Sequence, residues 1–501
     1  MLHAISMAKS YFEVLRKNGD RMQETGDRSF SGFLSPVSET KFRHYFHPIL
    51  SNSLYFFNKI ISLHINKMRH SMKNKYSFLL YISLCVFAFV FPFSSPTHPY
   101  FNFAPSLLAF CLLIWLLDGL FGSGFIHTFK QCKENKTLIP LLACSGLYLL
   151  YAIGLLYSKN TAFGLDDIFL KLPLLLFPLI IFSMDIGIWT KKRIAVLLKL
   201  FVVGNLVALL VSVFHSWTLY LEDPIFQYFH YVDASWFHHP SYASMYYCFS
   251  FTIAVYFLFH KETSLWEKIF AGIAIALFSV EIILLDSRAG ILAFGFVILV
   301  YGLYIILSKK YGLSKIALFI LCIAITLIGA YKLLPNEANR IMMTVKDIDK
   351  ESFSTAKPEE SNVRILIWDA TTKVALKNLP FGVGTGDIKD ELQKQYLEEG
   401  YNEPYEEHHN AHCQYLQIFA TLGILGIAIF LIIVFLPFQK GFTKKNILFL
   451  IFGIIISINF LVESMFEKQA GMMFFCFFFP FMFLIAQNQL LKDEKRQDEN
   501  C

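Results

Sequence analysis

Three histidines fall within the five residues 408–412 of EEHHNAHCQYLQIFATLGILG (406–426), where a polar stretch gives way to an apolar one. His412 stands about one helical turn before Tyr415, near which the apolar run begins. An imidazole held at a membrane–water boundary changes charge near neutrality and can move a proton to or from a group presented there. The same spacing fits an interfacial cluster with no chemical task. Glu406 and Glu407 are close enough in sequence to stabilise an imidazolium if they fold beside it. Arg288, in DSRAG (286–290), sits between two apolar runs with almost no room for a loop. A guanidinium there can clamp an anion, because it binds phosphate oxygens bidentately; the alternatives are a headgroup anchor or a pair with Asp286. Arg364 precedes Trp368 by four residues, so on a helix both could face one cleft, although a lone arginine there also reads as a solvated charge. His238 and His239 precede Pro240 in FHHPSY, either lining the same chamber or marking a helix start. Gly382, Gly384 and Gly386 resemble a phosphate-binding glycine run only superficially, since no strand precedes them. Asp166, Asp167 and Lys171 read as mutual pairs.

Apolar segments must position these groups. With 501 residues, 55% hydrophobic and only 16% charged, and a mean hydropathy of +0.50, the chain reads as an all-α polytopic membrane protein rather than a soluble one. Its formal charge of +6 is scattered over short connections and does not point to nucleic acid. Nine cysteines show no CxxC or Cys/His ligand spacing, which indicates neither a disulfide framework nor a zinc site. No cleavable signal peptide is expected at the start.

The apolar runs predict about twelve transmembrane helices, at 76–93, 103–121, 138–157, 168–184, 193–214, 241–260, 268–285, 290–307, 314–332, 415–436, 446–463 and 470–488. Alternate short connections carry seventeen Lys and Arg against three on the opposite side, so the positive-inside rule puts both termini in the cytoplasm. The 215–240 loop, the 286–289 turn and a large loop at 333–414 then face outward. This gives an N-terminal extension at 1–75, helices 1–9 over 76–332, the large periplasmic loop between helices 9 and 10 at 333–414, helices 10–12 over 415–488 and a cytoplasmic tail at 489–501. The patch SLYFFNKIISLHI (53–65) is too short to span and suits the membrane surface; a start at Met68 or Met72 is the other reading of this extension.

Within the large loop, NVRILIWDATTKVALKN (362–378) has helical spacing, with Ile365, Trp368, Thr372 and Ala375 or Leu376 near one face. LPFGVGTGD (379–387) ends that helix in a tight loop, and DELQKQYLEEG (390–400) makes a second helix stopped by Gly400.

The segments FHHPSYASMY (237–246), LLDSRAGILAF (284–294), VRILIWDA…LPFGVGTGD (363–387) and AHCQYLQIFATLGILG (411–426), in this order and spacing, resemble the O-antigen ligase/polymerase superfamily of bacterial envelope glycosyltransferases. The resemblance covers about 76–488. It implies transfer of a glycan from an undecaprenyl-diphosphate carrier at the outer face of the inner membrane, with inversion and without nucleotide sugar, metal ion or other cofactor. By position, His412, Arg288 and Arg364 match the family's catalytic histidine and arginines. His239, Trp368, Gly384, Gln414 and Tyr415 fall where substrate would be held. Where relatives carry Asn after the histidine, this chain has Cys413; the register His409–Asn410 restores the Asn but loses the spacing to Tyr415 and Leu416.

On this reading the partners are the lipid-linked glycan, an acceptor and the bilayer, and no nucleic acid. A lipid A–core sugar as acceptor makes an O-antigen ligase, a growing glycan a polymerase, and a Ser or Thr a protein O-oligosaccharyltransferase. A transporter or flippase of another class, or an inactive scaffold, stands as the alternative, although no internal repeat supports a transporter.

Overall fold

The computed structural model describes residues 75–307, except 97 and 122–124, and residues 360–491. The N-terminal extension through residue 74, the expected span at 314–332, the large loop as far as 359 and the tail from 492 lie outside the described residues.

Every regular element among the described residues is helical. α1 (Lys75–Val90) runs into a 3-10 turn at Phe91–Phe93, where Pro92 interrupts the hydrogen-bond ladder. α2 (Ala104–Phe121), α3 (Phe125–Glu134) and α4 (Leu138–Leu156) follow. The expected span at 168–184 is not one helix. It is divided between α5 (Thr161–Lys171) and α6 (Pro173–Ser183), each of 11 residues and too short to cross a bilayer. Pro173 contributes no N–H and suits a first-turn position, so it starts a new helix rather than continuing the old one. α7 (Lys191–Glu222) is longer than its expected 193–214: Thr190 caps its start by accepting from the Arg193 N–H, and it runs for 32 residues. At ~1.5 Å per residue that is ~48 Å, well beyond the ~30 Å hydrocarbon core.

α8 (Pro240–Phe259), α9 (Leu265–Leu284) and α10 (Arg288–Leu307) complete the first block. α11 (Glu360–Lys377) and α12 (Ile388–Glu399) form an arm, and α13 (Gln414–Thr443), α14 (Ile447–Val462) and α15 (Gln469–Gln487) return to the bundle. Among the described residues, seven helices are long and apolar enough to cross a membrane: α1 with its 3-10 turn, α4, α7, α8, α10, α13 and α15. α2 and α14 are apolar but shorter, and Glu267, Lys268 and Glu281 interrupt α9.

α8 and α15 occupy the centre, with 83% and 94% of their apolar windows buried, against 33% for α4 at the rim. Lipid tails are as apolar as leucine, so helices in a bilayer associate through packing rather than through escape from water. The phenylalanine run of α15 supplies that packing: the Phe478 ring lies 4.5 Å from Phe201 of α7 and 4.9 Å from Phe249 of α8.

The arm grips the bundle through a break in α13. Gly423 has φ +66° and ψ −154°, which interrupts the helix. The carbonyls of Ala420 and Thr421 accept from the N–H groups of Val383 (2.9 Å) and Gly384 (3.0 Å), and the Ile424 N–H donates to the Pro380 carbonyl (3.0 Å). A short strand-like pairing thus replaces the missing helical bonds. The buried side of α11 is Val363, Ile367, Ala370, Val374 and Ala375, packed on Ile388, Leu392 and Tyr396 of α12. Of the residues expected near one face, Ile365 is exposed, Trp368 and Thr372 are half-buried, and of the pair Ala375 or Leu376 it is Ala375 that is buried. Two apolar stripes run along α11, and its partners α12 and α13 select between them. Gly400 adopts the left-handed conformation and stops α12 where its sequence indicated.

Candidate active site

α13 and α14 form a hairpin, so the start of α13 lies beside the end of α14. Two hydrogen bonds lace these ends together. The Cys413 N–H donates to Ser464 Oγ (3.3 Å), and the Phe466 N–H donates to Gln414 Oε1 (2.6 Å). Just before α13, His412 takes φ +42°, a left-handed conformation that a residue with a β-carbon adopts only when its surroundings impose it. Its N–H donates to Asn410 Oδ1 (3.0 Å), which helps hold that turn.

The imidazole lies between two partners. Its Nδ1 is 3.6 Å from Glu463 Oε1, and its Nε2 is 3.3 Å from His409 Nδ1. The side chain of His412 is 23% exposed and that of Glu463 11%, so a substrate can reach the imidazole more readily than the carboxylate behind it. Burial pushes the Glu463 carboxyl up, but the contact with His412 and the charges of His412, Arg364 and His239 outweigh it and hold the group below the usual carboxylate range. Burial, reinforced by the neighbouring His412, lowers the His409 pKa despite Glu407 and Glu463. The His239 pKa is lowered first by burial and then by His412, Arg364 and Lys468, against the pull of Glu463. These groups therefore share one electrostatic environment.

Arg364 enters this environment from the arm. It is half-buried near the start of α11, and its charge acts on Glu463, His239 and His409. His239 caps α8, with Nδ1 accepting from the Ser241 N–H at 3.4 Å. Arg288 is the exposed first residue of α10. α10 starts at the same end of the bundle as α8, since the Cys248 thiol reaches the Gly290 carbonyl (3.6 Å). Trp368 is half-buried, and its indole Nε1 has no hydrogen-bond partner among the described residues.

Other sequence candidates take structural roles. The Gly384 N–H is already donated to Thr421, that of Gly382 to the Asn378 carbonyl and that of Gly386 to Ser158 Oγ, so the glycine run offers no cradle of free donors. A β-carbon on Gly384, at φ +92°, would come within 2.6 Å of Ser158 Oγ, which makes this glycine a docking residue. Gln414 is fully buried with its oxygen committed to Phe466, and the Tyr415 ring packs on Phe430 at 5.4 Å. Glu406 and Glu407 are exposed; the carboxylate that meets His412 is Glu463. Glu463 was missed because it follows a different span. Its only signal in sequence is the pair of acids, Glu463 and Glu467, in a short connection between apolar runs. Among the described residues no three His, Cys, Asp or Glu side chains are grouped to hold a metal ion.

The bundle and this cluster define a multi-pass membrane protein with ionisable groups gathered at one end. Residues 273–431 match the family model for O-antigen ligase, which supports the O-antigen ligase superfamily. That segment contains Arg288, Arg364, His409 and His412, and it leaves out His239 and Glu463. The family indicates O-antigen ligase-like function, a glycosyltransferase type of activity on a lipid-linked glycan. No curated protein matches the chain.

Proposed function

We propose that this protein moves a glycan from an undecaprenyl-diphosphate carrier to a hydroxyl of a lipid A–core sugar, at the periplasmic face of the bacterial inner membrane. The observation that carries the reading is the placement of His412 between Glu463 and His409, within the reach of Arg364. Glu463 favours the tautomer with the proton on Nδ1, which leaves the Nε2 lone pair as the base. Nε2 takes the proton of the acceptor hydroxyl as that oxygen attacks the anomeric carbon. The bond from this carbon to the phosphate oxygen breaks on the opposite face, inverting the centre. Undecaprenyl diphosphate leaves as an anion.

Arg364 and Arg288 would meet that developing charge, where fixed donors stabilise a leaving diphosphate. His239 shares the electrostatic environment of this cluster, and Trp368, one turn from Arg364 on α11, would hold substrate beside that arginine. The reaction needs no nucleotide sugar and, as the family resemblance implies, no metal. The arm outward and both termini inward is the orientation that the distribution of Lys and Arg over the connections supports. A growing glycan or a protein hydroxyl would use the same base, so the acceptor is the variable to test. The experiment is turnover of purified undecaprenyl-diphosphate glycan by the protein in nanodiscs, with lipid A–core, free glycan and peptide acceptors in parallel. Transfer to lipid A–core is expected; transfer only to another acceptor would change the assignment, and no transfer to any of them would remove the enzyme reading.

A further inference from the structure

α5 is tied at both ends. Just before its start, the Lys159 and Asn160 N–H groups donate to the Asp387 carboxylate at 2.9 and 2.8 Å, and the Asn160 amide donates to Asp390 Oδ2 at 2.9 Å. Asp387 and Asp390 lie at the head of α12, in the arm that carries Arg364. At the last residue of α5, Lys171 is wholly buried. Its ammonium donates to Asp167 one turn back and to Glu467 Oε2 at 3.1 Å, and it lies 4.7 Å from the centre of the Tyr151 ring.

Glu467 closes the 3-10 turn Met465–Glu467 that follows Glu463. The turn is tight: the Met465 N–H donates to the Glu463 carbonyl and the Glu467 N–H to the Ser464 carbonyl, both at 3.0 Å. Holding Glu467 therefore holds Glu463. The Tyr242 hydroxyl, buried and without a hydrogen-bond partner among the described residues, lies within electrostatic reach of both carboxylates. Pairing of Asp167 with Lys171 explains one contact of this lysine. It does not explain a second carboxylate brought in from the turn before α15.

We propose that Lys171 is a positioning residue for Glu463: through Glu467 it fixes the 463–467 turn, and α5 thereby sets the Glu463 carboxylate against His412 in register with the Arg364 arm. Buried ion networks are poor sources of net stability, and fixing register is their best-attested use. The proposal rests on His412 as the base. His412 is faced by Glu463, His409 and His239, and Glu463 by Arg364 and His239. Of these, Glu463 alone rides on the turn that Lys171 holds.

The test reads His412 without turnover. Diethyl pyrocarbonate acylates an accessible, uncharged imidazole nitrogen, so peptide mass spectrometry gives the initial rate of His412 modification at one fixed pH in the full chain in nanodiscs. A carboxylate held against the ring covers it and disfavours the reactive form. Lys171→Met is expected to raise this rate about threefold, and to leave it unchanged in a Glu463→Ala background, because the effect is transmitted only through Glu463. Glu467→Gln, which keeps an amide acceptor for Lys171, is expected to give a smaller rise and decides the matter where Lys171→Met does not insert. A rate that stays put, falls, or rises equally in both backgrounds overturns the proposal. Failure of the His412 reading is seen separately, as glycan transfer that survives His412→Ala.

Discussion

His412 Nδ1 faces Glu463 Oε1 across 3.6 Å, with the histidine ahead of one helix and the glutamate at the end of the next. The separation is longer than a good hydrogen bond, and catalytic contacts in substrate-free sites commonly tighten only when the reactants bind. In the proposed mechanism this pair selects the basic nitrogen of His412, so it is the first thing to perturb.

Replacing Glu463 by Gln keeps the size of the side chain and removes its charge. Turnover at pH 7 should fall at least about tenfold, because the tautomer of His412 is no longer held. Initial rates on protein matched for insertion check this, and an unchanged rate would detach Glu463 from the chemistry.

The two histidines should separate cleanly. His412→Ala should reduce transfer by about 10²–10⁴-fold, the usual contribution of a general base, with insertion intact. His409→Ala should keep substantial activity, since His409 lies three residues farther from α13 and its removal frees the Nε2 lone pair of His412 for the acceptor. The opposite result, measured as initial rates on protein matched for insertion, would install the His409–Asn410 register instead.

Arg288 and Arg364 differ in setting. Arg364 acts on Glu463, His239 and His409 through its charge, so Arg364→Lys should retain most of the rate and Arg364→Ala should not. Arg288 is exposed at a helix start. If it clamps diphosphate with a bidentate fork, Arg288→Lys should cut turnover at least tenfold, because an ammonium cannot reproduce that geometry. Wild-type kinetics in Arg288→Lys would make it a headgroup anchor.

Acid should loosen the site before it unfolds the bundle. His239 and His409 have lowered folded pKa values. Below the unfolded value of about 6.5, the unfolded chain binds protons that the folded site refuses. The stability they contribute is therefore full above that pH and falls as the pH drops toward their folded values. Limited proteolysis between residues 400 and 413 at pH 7.5, 6.5 and 5.5 should accelerate with acid, and less so in a His239→Phe/His409→Phe double variant.

Gly423→Ala should undock the arm. A β-carbon there would come within 1.9 Å of the Pro380 carbonyl oxygen, at a φ that side chains avoid. The local strain alone is ~1–3 kcal/mol, and the clash adds to it. Thermal unfolding in nanodiscs should begin several degrees lower, with transfer lost because Arg364 no longer reaches Glu463. An unchanged melting curve would mean that the pairing of Val383 and Gly384 with α13 is dispensable.

Much of this was legible in the residues themselves. Runs such as LIPLLACSGLYLLYAIGLL and QAGMMFFCFFFPFMFLIAQ are long and apolar enough to span without any partner. Pro240 and Gly400 mark helix ends by backbone rules that need no tertiary context. His412 and Arg364 were singled out by type, spacing and resemblance, and the fold brings the charge of Arg364 to the groups around His412. Other features depended on contacts between distant segments. Which stripe of α11 is buried was decided by docking on α12 and α13, which leaves Ile365 and Leu376 exposed. Glycines that suggested a phosphate loop became a docking strand because the broken α13 presents carbonyls to them. Glu463 became the partner of His412, in place of Glu406 or Glu407, because the α13–α14 hairpin returns the chain to its starting level. Periodicity and composition act along the chain and determine which segments are helical and apolar. Which charge meets which imidazole depends on how those helices pair, and that was decided by the tertiary structure.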